Sequence, residues 1–184
     1  MGLTDQEILK GCIKGDREAQ QALYAKYAKQ MYVVCLRYAK EQQEAEDVLQ
    51  EAFIKVYEHI KNFRGDSKLV YWIKRIVINT ALNAQRSKLY LYPMVDVDSL
   101  KESQGNDLPV SDFTMEELMN MINELPSGCK VIFNLYAIEG YKHHEIAKML
   151  DLTEGTSKSQ YSRAKYLLRE QMKQVMTGYS KRHK

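Results

Sequence analysis

Cysteine, proline and long apolar runs are all scarce in this sequence, and each scarcity removes a class of protein. The three cysteines, Cys12, Cys35 and Cys129, are odd in number and far apart. Neither a disulfide framework nor a cysteine-based zinc site is therefore expected, and a reduced, cytoplasmic setting is. No apolar run reaches the roughly 18 residues of a membrane span, and the first residues lack the apolar core of a signal peptide, so no direct membrane insertion is expected. The nine glycines never gather into a phosphate-binding loop, and no stretch reads as a strand or an internal repeat. An overall charge excess is missing as well: the formal net charge is only +3.

That small total conceals an uneven distribution. Between residues 61 and 90, Lys61, Arg64, Lys68, Lys74, Arg75, Arg86 and Lys88 face Asp66 alone. From Asp151 onward, Lys158, Arg163, Lys165, Arg169, Lys173, Lys181, Arg182 and Lys184 face only Asp151, Glu154 and Glu170. Two basic blocks with acidic sequence between them attract polyanions locally even when the total charge is small.

Helical signals run along most of the chain. Thr4 and Glu7 have capping-box spacing, a short helix ends between Gly11 and Gly15, and Asp16 is placed to cap the next helix. There Ala19, Leu23, Tyr27, Met31, Val34, Cys35 and Tyr38 recur at helical steps. From Glu41 to Ile60, Val48, Leu49, Ala52, Phe53, Val56, Tyr57 and Ile60 alternate with acids; the other face, with Asp47, Gln50, Glu51 and Ile54, is either a solvated surface or a dock for a basic partner. A turn-rich break, Asn62 to Ser67, precedes a helix from about Lys68 to Lys88 through Trp72, Ile73, Ile76, Val77, Thr80, Ala81 and Ala84. Trp72 is read as core, and Asn79, Asn83, Lys74, Arg75 and Arg86 lie off its stripe.

After Tyr92 the periodicity collapses into a polar, acidic stretch holding Pro93, Gly105 and Pro109, the mark of a flexible linker. Helical pattern resumes at Met115, stops at Pro126, and continues through Cys129, Ile132, Phe133, Tyr136 and Ala137 to Gly140. The segment from Tyr141 to Lys165 then reads as a helix-turn-helix: a short helix with Ile146, Ala147 and Leu150 inward, a turn through Asp151 and Leu152, and a second helix capped by Thr153. A seam of Tyr161, Ala164, Leu167 and Leu168 leaves Lys158, Ser159, Ser162, Arg163 and Lys165 on other faces, cations for phosphates among short donors for base edges. The expected architecture is all-α: two small helical domains, residues 1–90 and 113–176, joined by a flexible acidic linker at 91–112 and followed by a frayed basic tail at 177–184.

Four stretches of the sequence, Glu46 to Phe53, Phe63 to Ser67, Trp72 to Ala81, and Glu139 to Tyr141 with Glu154 to Ser159, together resemble the successive signatures of the extracytoplasmic-function (ECF) sigma factors of the sigma-70 family. The match runs in order over nearly all of residues 4 to 175. The resemblance implies a bacterial transcription initiation factor that binds core RNA polymerase through the β′ clamp helices and the β flap, without cofactor or catalytic site. Residues 1–90 then correspond to the region-two domain and 113–176 to the region-four domain.

By the same resemblance, Asp47, Leu49, Gln50, Glu51, Phe53 and Ile54 sit where the family docks on polymerase, Phe53 above all being core rather than contact. Arg64, Gly65, Asp66, Ser67 and Lys68, with Lys74, Arg75, Asn79 and Arg86, sit where it takes the minus-ten element as unpaired strand. Lys158, Ser159, Ser162, Arg163 and Lys165 align with the positions that read the minus-thirty-five duplex. An anti-sigma factor is an expected partner, a small-molecule substrate is not. Leu69 stands where an aromatic is frequent, Tyr71 where a small residue is, and Ser162 where a bulkier side chain is common.

Two rivals come from other classes. A two-domain helix-turn-helix regulator would bind duplex DNA as a dimer, without polymerase. A metal nuclease would draw on Asp47, Glu51 and Asp66 with His143 and His144, although adjacent histidines point to different helix faces.

Overall fold

The computed structural model describes residues 3–89 and 113–182, with side chains described for 3–85 and 113–177. The stretch expected to be a linker, 91–112, lies outside the described residues, as does the side chain of Arg86. All regular structure among the described residues is helical, and the chain divides into two compact units, Met1–Ser87 and Lys88–Lys184.

In the first unit, helix α1 (Asp5–Lys14) opens on a complete capping box: Thr4 accepts from the Glu7 backbone N–H at 3.3 Å, and the Glu7 carboxylate accepts from the Thr4 N–H at 2.8 Å. Gly15 ends it at φ 81°, and Asp16 caps α2 (Arg17–Tyr38) by accepting from the Glu18 N–H. The helix continues through Gly11, where the backbones of α1 and α2 close in. A Cβ added at Gly11 would lie 2.3 Å from that of Ala19, so this crossing requires glycine. The tie is reinforced by the Tyr27 hydroxyl, which donates to Asp5 at 2.5 Å, and by Lys26 paired with the same carboxylate at 2.7 Å.

Helix α2 buries Ala19, Leu23, Tyr27, Met31, Val34, Cys35 and Tyr38, the face its periodicity predicts. Against it packs α3 (Gln42–His59), with Ala45, Val48, Leu49, Ala52, Phe53 and Val56 inward, followed by a 3-10 turn at Ile60–Asn62. In α4 (Leu69–Leu89) the buried residues are Leu69, Ile73, Val77, Ile78, Thr80, Ala81, Leu82 and Gln85. This corrects the expected face: Ala84 is exposed, Ile76 is half-buried, and Trp72 lies half-buried against the Phe63 ring, centroids 5.5 Å apart, rather than filling the core.

The second unit starts with another capping box, Thr114 with Glu117, on α5 (Met115–Asn123). Helix α6 (Ser127–Phe133) runs on into a π turn at Asn134–Ile138, then Gly140 at φ 79° reverses the chain. Helices α7 (His143–Leu150) and α8 (Glu154–Arg182) follow. Phe113, Met121, Ile122, Leu125, Cys129, Ala164, Leu168 and Met172 form one buried cluster, drawn from α5, α6, α8 and the residues flanking α5. Helix α8 continues to Arg182, through most of the stretch expected to be a frayed tail; Lys173 and Glu170 pair at 2.8 Å along it.

Candidate nucleic-acid interface

The helix-turn-helix forms as its sequence requires. Asp151 adopts the left-handed conformation (φ 56°), the Leu152 N–H donates to the Ala147 carbonyl, and the Thr153 hydroxyl accepts from the Thr156 N–H at 3.0 Å to start α8. The inward face of α8 is the expected one only at Ala164 and Leu168. Ser157, Gln160, Ala164 and Leu168 are buried, whereas Tyr161 and Leu167 are half-buried. Pattern reasoning passed over Ser157 and Gln160 because they are polar, and both are satisfied inside: His143 Nδ1 lies 2.9 Å from Ser157 Oγ, and the Cys129 thiol donates to Gln160 Oε1 at 3.0 Å.

With 3.6 residues per turn, that buried line places Ser159 and Ser162 near the centre of the opposite face. Lys158 and Lys165 fall on one flank and Arg163 on the other. Lys158 is exposed and paired with Glu154 at 2.7 Å; Ser159, Ser162, Arg163 and Lys165 are half-buried. Lys165 Nζ sits 5.1 Å from the centre of the Tyr161 ring. Arg163 approaches Cys129 closely enough to oppose the rise that burial imposes on the thiol pKa. All five expected residues thus share one side of the helix, although only Lys158 is fully open to solvent.

In the first unit, Arg64, Gly65, Asp66, Ser67 and Lys68 are all exposed, with Gly65 at φ 80°. Phe63 before this loop and Trp72 after it hold its two ends together. From there an exposed stripe follows α4 at four-residue steps, Tyr71, Arg75, Asn79 and Asn83. Tyr71, 59% exposed, is the aromatic that the candidate set omits; the spacing 71, 75, 79, 83 was the available signal. Lys74 lies to one side, half-buried and engaged within the protein.

The expected polymerase-docking set divides. Asp47, Gln50, Glu51 and Ile54 are exposed on α3, Ile54 at 57%, and Glu51 pairs with Lys55 at 2.6 Å. Leu49 and Phe53 are 7% and 2% exposed, and the Phe53 ring meets Tyr24 edge-on at 4.8 Å. Both side chains therefore pack inside the unit, as expected of Phe53. As to the nuclease alternative, no group of three or more His, Cys, Asp or Glu among the described residues could hold a metal ion. None of the helices searched among those residues is long and apolar enough to cross a membrane.

A basic-flanked helix-turn-helix in one unit, and an exposed loop with a polar helical stripe beside an acidic-aliphatic face in the other, define a DNA-binding protein of the transcription machinery. Family models narrow the class: sigma-70 region 2 matches residues 23–89 and sigma-70 region 4 matches residues 115–168. The chain is 30% identical to the ECF RNA polymerase sigma-E factor of Haemophilus influenzae, over 95% of this chain and 98% of that one. It is 32% identical to the sigma-E factor of Escherichia coli K12, over 89% and 91%.

Among solved structures, that of CnrH in complex with the cytosolic domain of CnrY aligns with TM-score 0.52 at 18% identity, covering 92% of this chain and 97% of that one. The sigma factor RpoE of Bartonella quintana, crystallised with the anti-sigma factor NepR, aligns with TM-score 0.54 at 18% identity, covering 83% and 96%. These two likenesses establish the shared fold. The chain belongs to the ECF sigma factors of the sigma-70 family. It associates with core RNA polymerase and directs promoter-specific initiation.

Proposed function

We propose that the two units divide promoter recognition, with the loop and α4 of residues 1–90 taking the minus-ten element as unpaired strand and α8 of residues 113–176 reading the minus-thirty-five element as duplex. The carrying observation is the contrast between the two surfaces. A flat helix face with central Ser159 and Ser162, flanked by Lys158, Lys165 and Arg163, suits a major groove. An irregular exposed loop, with backbone groups freed by Gly65, short polar side chains at Asp66 and Ser67, and Tyr71 beside it, suits a single base removed from its stack. Arg64, Lys68 and Arg75 hold phosphates around it, with Lys74 and Arg86 completing the expected set.

Asp47, Gln50, Glu51 and Ile54 form the dock for polymerase: a small apolar centre in an acidic surround, which fits a basic partner with one exposed apolar anchor. The protein carries no catalytic chemistry of its own; the free energy for strand opening comes from base capture, phosphate contacts and polymerase binding. It works in the cytoplasm, and an anti-sigma factor restrains it, as the solved complex of the Bartonella sigma factor with NepR suggests by analogy.

The test is transcription with sigma-free core polymerase and a randomised promoter library. The expected result is one defined start with two enriched elements, the upstream one altered by changes at Ser162 or Arg163 and the downstream one by changes at Asp66 or Asn79. Enrichment of a single element, or shifts of the wrong element, refutes the division.

A further inference from the structure

His143 lies outside both expected contact sets, yet the fold gathers an unusual group around it. Its ring stacks on Tyr136 with centroids 4.2 Å apart and planes 14° from parallel, and Tyr161 flanks it at 5.8 Å. Tyr136 and Tyr161 touch each other as well, at 4.5 Å. The three rings come from three elements, the π turn, the first turn of α7 and the second turn of α8. The hydrogen bond between His143 Nδ1 and Ser157 Oγ ties the ring to the first turn of α8, at a side chain that is fully buried. One imidazole therefore spans the turn of the helix-turn-helix and fixes both the height and the rotation of the segment carrying Lys158, Ser159 and Ser162.

We infer that His143, in its neutral form, is a positioning residue for DNA recognition: by clamping Ser157 and the two tyrosines it sets the angle at which α8 meets the minus-thirty-five duplex, and a proton on the ring loosens that clamp. The inference rests on α8 being the reading helix. The charged and titratable groups around the ring are Glu154, Lys158, Tyr161 and Lys165 on α8, Tyr136 on the π turn, and His144 on its own helix. A proton added there joins two lysine charges in a partly desolvated site, opposed by Glu154 and by the faces of the flanking tyrosine rings.

Burial first, then Lys158, hold the His143 pKa below its ordinary value of 6.5; Glu154 pulls it up and Lys165 adds a smaller push down. The sign follows from linkage. A base whose folded pKa is depressed contributes its full stabilisation above pH 6.5 and loses it as pH falls through the lowered value. The clamp is therefore closed at neutral pH and opens as the pH falls through that lowered value.

Two measurements on the full chain test this. In the first, the protein with isotope-labelled histidines is titrated by NMR. His143 should titrate below pH 6.5, and the backbone amides of residues 154–165 should shift with the His143 midpoint; in Ser157→Ala that shared midpoint should disappear. In the second, holoenzyme is assayed on matched promoters with intact and scrambled minus-thirty-five elements, at about pH 7.5 and about pH 5.5. Discrimination by the parent protein should fall at least about five-fold at the lower pH, the low end of ordinary coupling between sites. His143→Gln, which does not titrate, should discriminate equally at both.

His143 titrating at or above pH 6.5 while the α8 amides stay still overturns the clamp, as does parent-like pH dependence in His143→Gln. Should scrambling the upstream element change nothing for any protein at either pH, the assignment of α8 as reader fails and the inference falls with it, whereas a shared midpoint in the titration would still separate the two failures.

Discussion

Arg75 and Lys74 are neighbours in sequence and chemically alike, yet the structure assigns them different consequences on promoter DNA. Arg75 is exposed in the stripe that runs from Tyr71 to Asn83, whereas Lys74 is half-buried and already engaged within the protein. Only the first is free to displace a counterion from a phosphate. One such contact contributes about 0.7 to the slope of log affinity against log salt on a single strand and about 0.9 on a duplex. The proposed target is the opened strand, so Arg75→Ala should flatten the slope by about 0.7, and Lys74→Ala by much less. Between about 50 and about 200 mM salt, affinity of the Arg75→Ala holoenzyme should accordingly fall about 2.6-fold less than that of the parent. The assay is fluorescence anisotropy of reconstituted holoenzyme on a promoter fragment with a pre-opened minus-ten bubble, across a salt series. Identical slopes for the two variants, or a changed base preference in Arg75→Ala with no change of slope, would refute the reasoning.

Three other outcomes follow from the packing. Ile54→Lys adds a like charge to any basic partner at the exposed centre of the α3 face; it should weaken association with core polymerase by at least about 1.4 kcal/mol, roughly ten-fold, in a binding titration, while leaving the melting curve in place. Gly11→Ala forces a methyl to 2.3 Å from the Ala19 Cβ, against an ordinary contact of about 3.5–4.0 Å. Overpacking costs about 1–3 kcal/mol and the gain in helix propensity returns up to about 1 kcal/mol, so the variant should be destabilised and Ala19→Gly should rescue part of the loss. Trp72, the single tryptophan, lies in the same unit and reports its unfolding by fluorescence; a fully stable Gly11→Ala protein contradicts the close approach. Asp151→Gly replaces a left-handed aspartate, φ 56°, with the residue that takes that conformation freely. It should raise the stability of the second unit by about 0.5–1 kcal/mol in urea unfolding followed by circular dichroism, and a loss would show that the Asp151 side chain holds the turn.

Much of the local architecture could be read directly. The capping residues Thr4, Asp16 and Thr153 mark helix starts because each supplies an oxygen to a backbone N–H that has no partner within the helix. The buried face of α2 follows from periodicity because it carries a regular line of apolar side chains. Helix α4 is apolar over much of its circumference, so periodicity leaves the phase of its stripe ambiguous, and burial falls on Ile78, Leu82 and Gln85 rather than on Trp72 and Ala84. Motif resemblance alone placed Leu49 and Phe53 in the docking stretch, with Phe53 expected to be core, since a motif does not distinguish a side chain that makes a contact from one that supports it.

By itself, then, the sequence determined that the chain is helical, where its helices start, that basic blocks fall in separate segments, and which family it joins. These depend on neighbours within a turn or two, or on motifs in linear order. The tertiary structure decided which polar groups go inside and what they touch. Ser157 and Gln160 look like surface residues in the sequence and become the inward line of α8, because His143, 14 positions away, and Cys129, 31 positions away, supply their partners. A buried hydrogen bond needs both ends in place, and only folding brings ends so far apart together.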